Sequence, residues 1–387
     1  MELRKLEREE HNITRALWES VFAEDTEAFL DYYYQIKTRD NEVYVIDEDE
    51  KIRAMLQLNP YRVQIEDRKF HLHYIIAVAT EAKYRGRGMM RKLLLQAMEA
   101  MYRKKEPFTF LMPAAEAIYL PYDFRFVYNQ IQMKLTGKEC DSKYEVRDAK
   151  EVDAGKLAAF SRKLISGSYQ VYAIHSKAYY ETMLLEQRSE HGNVKMVYCG
   201  RKLVGIFAYD KEEELSIREP LFLDGYEEAF LQAVYEMVED ESKEVQCIGM
   251  MKGLQEAIEK CGRKKSSTVE ERPMIMARIL HLDTFLRTLK TVDQQPLQCS
   301  FAMIDPLLVQ NNRIVKMQYR PDLDEMLVRD TEDSDGVLTI DAFTSFVFGY
   351  RTIADIAKDD GVILTEKLIE ELKKIKLLKH VFLNEIV

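Results

Sequence analysis

The segment "AVATEAKYRGRGMMRKLLLQAMEAM", residues 77–101, decides the fold of the N-terminal part of this chain. An apolar run typical of a buried strand ends at Thr80, and an apolar pattern of helical period begins at Met89. Gly86 and Gly88 stand between them. Glycine starts helices poorly, but it lets the backbone approach a ligand closely. Because the first N–H groups of a helix lack partners and the helix dipole is positive there, the segment predicts a phosphate-binding loop.

Basic side chains surround these glycines, namely Lys83, Arg85, Arg87, Arg91 and Lys92. The loop is not GxxxxGK[ST], which excludes a nucleoside-triphosphate P-loop, and it is not the dinucleotide loop GxGxxG. The alternative is a basic helix start in which the glycines serve only as a turn.

The composition is that of an ordinary globular protein, with 47% hydrophobic and 32% charged residues among 387. The net charge of -10 argues against nucleic acid as the main partner and is compatible with a cationic substrate. No apolar run approaches the ~18 residues of a membrane span, and the charged N-terminus lacks the apolar region of a secretion signal. Five widely spaced cysteines without a CxxC pair favour reduced thiols, so we expect a cytoplasmic protein.

Periodicity along the chain predicts two helices, a hairpin, further strands, the helix that follows the loop and a final strand. This order of elements, α-α-β-β-β-β-α-β, indicates an α/β or α+β class. A second unit repeats the pattern, because residues 194–210 and 43–59 both read as strand, charged turn and strand. Residues 219–226, "EPLFLDGY", carry no arginine–glycine loop there, so the second copy is predicted to have lost it. Chance similarity of two hairpins is the alternative.

The loop resembles the acetyl-coenzyme A motif of the GCN5-related N-acetyltransferases (GNAT), which reads Q/R-x-x-G-x-G/A after a strand. Lys83, Gly86 and Gly88 occupy the motif positions, with Lys83 departing from the usual Gln or Arg. The resemblance implies acetyl-CoA as co-substrate, with main-chain partners for its pantetheine arm on the preceding strand. The implied cofactor-binding residues are Ile76, Ala77, Val78, Lys83, Tyr84, Arg85, Gly86, Arg87, Gly88, Met89 and Met90.

Over nearly its whole length the chain resembles the enhanced-intracellular-survival (Eis) acetyltransferases. This resemblance implies an α+β protein with tandem GNAT folds, the second degenerate, followed by a sterol-carrier-like domain. The expected boundaries are 1–140, 144–275 and 276–387. The resemblance also implies a homo-oligomer, because proteins of this family form oligomers, often hexamers.

The same resemblance implies two catalytic groups. "AIYLPYDFRF", residues 117–126, matches a family segment that carries a catalytic tyrosine, here Tyr119. Asp123 replaces a usual glycine, so the loop could differ in shape, and Tyr122 is the alternative acid. The C-terminal carboxylate, here that of Val387, serves as the base. A phenol titrating near ~10 matches a leaving thiolate of pKa near ~8.5 and can protonate it.

The sequence therefore predicts an acetyl-CoA-dependent N-acetyltransferase that acts on an amine of a small molecule or peptide: aminoglycoside-, polyamine- or lysine-like. Glu24, Asp25 and Asp31 are candidates for lining its pocket. The alternative function is a non-catalytic acyl-CoA- or lipid-binding protein with a vestigial acetyltransferase domain. No metal site is expected, because His71 and His73 share one side of a strand without an evident third ligand.

Overall fold

A strand that the sequence analysis missed, Glu2–Lys5, opens the fold at one edge of a large sheet. The structure is a computed structural model, and it describes residues 2–136, 143–211, 214–238, 244–260 and 267–385. The elements of the first part of the chain are β1 (Glu2–Lys5), α1 (Arg15–Val21), α2 (Glu27–Gln35), β2 (Glu42–Glu48), β3 (Lys51–Ile65), β4 (Arg68–Thr80), α3 (Met89–Arg103), β5 (Phe108–Leu111), α4 (Glu116–Tyr119) and β6 (Arg125–Leu135). The short, charged sequence of β1 carries little periodicity, which is why pattern reasoning passed over it.

The two long helices of this part follow from local sequence. α2 begins where the Thr26 hydroxyl accepts a hydrogen bond from the N–H of Phe29, as an N-cap does. α3 buries one face at helical spacing, including Leu93, Ala97 and Met101. These helices therefore lie where the sequence predicted them.

The second part of the chain repeats this arrangement. Its elements are β7 (Glu145–Asp148), α5 (Ala154–Ile165), β8 (Val171–Ala173), α6 (Lys177–Ser189), β9 (Asn193–Cys199), β10 (Lys202–Asp210), β11 (Ser216–Phe222), α7 (Glu227–Tyr235), β12 (Val245–Ile248), α8 (Lys252–Lys260) and β13 (Ser267–Ile279). The hairpin β9–β10 corresponds to β2–β3, and the parallel pair β11–β12 corresponds to β4–β5. Gly225 (φ +80°) stands in the turn before α7, where the first copy has its loop.

Strands of the two parts are exchanged in the middle of the sheet. Among the described residues the strand order is β1-β2-β3-β4-β5-β13-β6-β12-β11-β10-β9-β7. β13 thus lies between β5 and β6 of the first part, while β6 pairs with β12 of the second. Because β13 runs through the boundary expected at 275/276, a cut there would divide one strand, and the domain division remains a prediction.

The third part of the chain packs a small sheet and short helices against the first two. Its elements are α9 (Leu282–Leu286), β14 (Lys290–Thr291), β15 (Leu297–Ile304), β16 (Arg313–Arg320), β17 (Glu325–Asp330), β18 (Gly336–Thr339), α10 (Ile340–Val347), α11 (Ile353–Ile356), β19 (Ile363–Leu364), α12 (Glu366–Leu372), β20 (Ile375–Lys376) and β21 (Val381–Phe382). Five strands form a sheet in the order β17-β16-β15-β18-β19, and β21 returns to pair with β8 of the second part. Within the described residues, no helix has the length and apolarity needed to cross a membrane.

A buried guanidinium connects the three parts. Arg278, on β13, is fully buried and donates hydrogen bonds to the carbonyls of Tyr122 and Ile279 and to the carboxylate of Asp305. Asp305 also accepts hydrogen bonds from the main-chain N–H groups of Leu307 and Leu308. Removing either member of such a pair leaves the other charge buried without compensation.

We predict that Asp305→Ala lowers the free energy of unfolding by about 3–5 kcal/mol, the typical cost of breaking a buried ion pair from one side. The matched control is Glu244→Ala, which removes a surface pair with Lys134 in which both side chains are 53% exposed. That control should cost about 0–1 kcal/mol. Urea unfolding measures the free energy of unfolding of both variants. Equal unfolding midpoints for the two would contradict the prediction.

Candidate active site

The loop between β4 and α3 is open to solvent and shaped by two glycines. Gly86 and Gly88 have φ of +74° and +75°, and a Cβ built on either meets no atom within 4 Å. Side-chain-bearing residues rarely adopt this left-handed backbone. Gly88 is also the N-cap of α3, so the unpaired N–H groups of the first helical turn face the same open space. The loop is therefore built to admit an anion.

Charged side chains frame this opening, but they are not equally available. Glu81 pairs with Arg53 at 2.6 Å and with Lys83 at 3.0 Å, which partly neutralises both cations. The guanidinium of Arg87 lies over the ring of Tyr84, 4.8 Å from its centroid. Arg85 is exposed and donates to the carbonyl of Thr80. The side chains thus stiffen the loop, and its main chain faces the open space.

A wedge opens beside the loop because β4 and β5 diverge. Their parallel pairing is the single register pair Tyr74 and Phe110. Beyond it, β4 carries a bulge at Ala77 (φ +51°), where Ala77 and Val78 together stand opposite one residue of β3. A splayed, bulged strand leaves main-chain groups that an extended ligand with amide groups can pair.

The structure brings part of the predicted site together around Tyr119. The Tyr119 ring shares a core cluster with Met89 at the start of α3. Packed against this cluster are Val78, Tyr84, Met90 and Tyr122. Ile76 and Ala77 instead pack toward α1 and α2 on the other side. Lys83, Arg85, Gly86, Arg87 and Gly88 remain exposed in the loop.

Tyr119 has the environment of a neutral phenol. It lies at the end of α4, is 7% exposed and packs edge-on against Phe124. Burial raises the pKa of Tyr119 to about 12, so the hydroxyl keeps its proton at neutral pH. The hydroxyl of Tyr122 lies in a more exposed position, and burial raises its pKa as well.

Asp123 does not disturb the turn that follows Tyr119. It adopts φ +62°, the left-handed conformation that aspartate tolerates better than most residues. Its carboxylate lies 3.5 Å from the guanidinium of Arg278, and burial raises the pKa of Asp123 to about 6. Asp123 thus holds the conformation that glycine favours, and a difference in loop shape from the family remains a prediction.

A second opening, a cavity of about 380 Å³, lies between residues 36–41 after α2, β3, α6, β11 and the C-terminal segment. Its buried carboxylates are Glu186, Glu219 and Glu385, and Asp40, Arg62 and Arg218 also line it. Lys37 also lines the cavity, donates to the hydroxyl of Tyr61, and has its pKa lowered by burial. Burial raises the pKa of Glu219. The cavity is accordingly acidic and suited to a cation.

The cavity and the wedge share a wall. The Tyr61 side chain lines the cavity, and its ring centroid lies 6.3 Å from those of Tyr74 and Phe110. These two residues form the last pair before β4 and β5 part. A group held in the cavity therefore lies next to the strands between which the wedge opens.

The acidic residues proposed from sequence are not those that line the cavity. Asp25 accepts a hydrogen bond from the indole of Trp18, and Asp31 pairs with Arg15 at 2.6 Å. Glu24 is exposed. The carboxylates that do line it come from three distant segments, and no local pattern could have joined them. Val387 lies outside the described residues, two positions after Glu385.

Residues 2–127 match the acetyltransferase (GNAT) domain family. No curated protein matches the sequence. The fold is similar to a probable N-acyltransferase from Enterococcus faecalis V583 (TM-score 0.83, 15% identity, 100% of this chain and 99% of that chain). It is also similar to a GCN5-related N-acetyltransferase from Anabaena variabilis ATCC 29413 (TM-score 0.81, 13% identity) and to Eis1 from Mycobacterium abscessus (TM-score 0.73, 12% identity), with both chains fully covered in each case.

At these identities the solved structures show the fold alone. They confirm the α+β class and the Eis-like arrangement over the full length of the chain. The matched domain covers β4, the loop, α3 and Tyr119. Residues 2–127 therefore match an acetyltransferase (GNAT) domain, and the whole chain shares its fold with these solved structures.

Proposed function

We propose that the chain transfers an acetyl group from acetyl-CoA to an amine of a cationic acceptor by direct attack in a ternary complex. The observation that carries this proposal is the continuous arrangement of bulged β4, open glycine loop and α3. Main-chain N–H groups at the loop and helix start suit a pyrophosphate. The wedge between β4 and β5 suits the extended, amide-bearing pantetheine arm.

The acceptor side of the proposal rests on the acidic cavity. The lining carries four carboxylates against the cations Lys37, Arg62 and Arg218, and this surplus of one negative charge favours a cationic amine substrate. An alkyl amine has a pKa near ~10 and must lose its proton before it attacks. The predicted base is the terminal carboxylate at Val387, and the described chain leads toward it through Glu385 at the cavity wall.

The chemical step is a simple exchange at the acetyl carbon. The amine nitrogen forms a bond to the carbonyl carbon while the N–H of Val78 donates to the developing oxyanion. The C–S bond breaks, and the leaving thiolate takes a proton from the Tyr119 hydroxyl. The amine's proton leaves to the base, and the phenol regains its proton from solvent. Tyr119 suits this role because it is neutral at the working pH. By family likeness to Eis proteins, we also propose a homo-oligomer.

The loop's role is tested by Gly88→Glu, which places a side chain and a negative charge in the open space. We expect acetyl-CoA binding to weaken by a factor of about 10 or more, measured by calorimetry. Gly225→Glu is the matched control, since Gly225 has the same backbone conformation and open surroundings in the second copy. If Gly88→Glu leaves the affinity unchanged, the loop is not the phosphate site, and the non-catalytic alternative gains.

Tyr119→Phe tests the acid. We expect kcat to fall by about 100-fold or more, the usual contribution of a positioned acid, while the KM for acetyl-CoA stays nearly the same. Tyr122→Phe provides the comparison and should keep most of kcat. A reversed outcome would transfer the role to Tyr122.

The cavity is tested by Glu186→Gln, assayed with a panel of mono- and diamines. Loss of this buried charge should raise the KM for diamines by a factor of about 5–10 and leave the KM for acetyl-CoA unaltered. Glu181→Gln, on the exposed face of the same helix α6, is the control and should change neither constant. If Glu186→Gln and Glu181→Gln change the KM for diamines equally, the cavity does not bind the acceptor.

A further inference from the structure

Three potential metal ligands meet at the wall of the acidic cavity, although they are far apart in sequence. His175 precedes α6, Glu219 lies on β11 and Glu385 follows β21. One ligand atom from each lies within 4.8 Å of the other two. The Nε2 atom of His175 is 3.9 Å from a carboxylate oxygen of Glu219 and 3.7 Å from one of Glu385. All three residues are buried, with exposures of 4%, 8% and 2%.

These groups are buried without hydrogen-bond partners of their own. Neither ring nitrogen of His175 and neither carboxylate oxygen of Glu385 has a partner among the described residues. The imidazole is held by packing instead, since it stacks on Tyr179 with the centroids 4.2 Å apart. A fixed imidazole facing two buried carboxylates is costly unless a further group satisfies all three.

The nearest cations are already engaged. Arg218 forms ion pairs with Asp210 at 3.0 Å and with Glu190 at 3.7 Å. Lys37 donates to the hydroxyl of Tyr61. Glu219 and Glu385 therefore bring two negative charges into the interior next to the single imidazole of His175. A divalent cation would neutralise both.

We propose that His175, Glu219 and Glu385 bind one divalent transition-metal ion of the zinc type. An ion among the three atoms comes within roughly 2.5 Å of each, and bonds of ~2.0–2.2 Å need only small inward shifts. The imidazole favours zinc-like ions over Mg²⁺ and Ca²⁺, which prefer oxygen donors alone. Three protein ligands leave a coordination position for water on the cavity side, since Glu219 and Glu385 line the cavity.

The ion would add a link between the C-terminal segment and the second part of the chain. β21 is held to β8 by two register pairs, Val381 with Val171 and Phe382 with Tyr172. Glu385 lies three residues beyond. An ion shared with His175 and Glu219 fixes this end of the chain against the second part of the protein.

The test uses the full chain, made metal-free with a chelator and titrated with Co²⁺ and with Zn²⁺. We expect one equivalent of each to bind, with visible Co²⁺ absorption and no thiolate charge-transfer band. His175→Gln and Glu385→Gln should each weaken binding by about 10-fold or more. His73→Gln is the matched control, because His73 is a buried histidine bonded to Glu106 at 2.7 Å and belongs to no such cluster among the described residues. It should leave the affinity unchanged.

Hydrogen exchange gives a second measurement that does not depend on catalysis. Zn²⁺ should slow exchange of the amides of residues 380–385 in the unsubstituted chain but not in Glu385→Gln, whose position near the chain end makes a folding defect improbable. The proposal would be overturned by any of three results. These are no saturable metal binding, a thiolate charge-transfer band, or binding that survives both ligand substitutions. If a protonated His175 bridges the two carboxylates instead of a metal ion, neither Co²⁺ nor Zn²⁺ will bind. These readouts do not measure acetyl transfer, so their failure is distinguishable from failure of the proposed function, although a bound ion would offset the charge of two carboxylates of the acidic cavity.

Discussion

The exchange of β6 and β13 is the constraint on which the rest of the structure depends. β13 pairs with β5 over four residues, from Phe108 to Leu111, while β5 keeps a single pair with β4. β5 thus pairs with β13 along its length on one edge and parts from β4 beyond Tyr74 on the other, where the wedge opens. β13 also carries Arg278, whose guanidinium contacts the turn after Tyr119. One strand from the second part of the chain thus shapes both halves of the candidate site in the first.

The cavity depends on the same joining of distant parts. Its walls come from residues 36–41 and β3, from α6 and β11, and from the segment ending at Glu385. Tyr61 connects this acidic space to the strands of the wedge through Tyr74 and Phe110. The second copy contributes no glycine loop of its own, yet it supplies Glu186 and Glu219. The second part of the chain therefore forms much of the wall of the acidic cavity.

The sequence predicts those features of the fold that depend on residues close together in the chain. The glycine loop, the face of α3 and the hairpin of β2 and β3 follow from spacing and turn residues within short windows. Tyr119 was found because a recognisable segment surrounds it. The place of β13 between β5 and β6 could not be found this way, since the pairing of Leu111 with Met276 spans most of two parts of the chain. Likewise, the sequence around His175 does not predict that Glu219 and Glu385 lie beside it, because only the folded chain brings the three together.

The position of β13 also has a consequence for synthesis of the protein. A ribosome finishes β5 and β6 more than a hundred residues before it makes Ser267–Ile279, the strand that must separate them. Until then the nascent first part has an unfilled place in its sheet, with β5 and β6 exposing unpaired edges, and such edges invite wrong pairing. Completion of the sheet beside the glycine loop must therefore wait for the second part to emerge. This dependence ties the folding of the two parts together during biosynthesis.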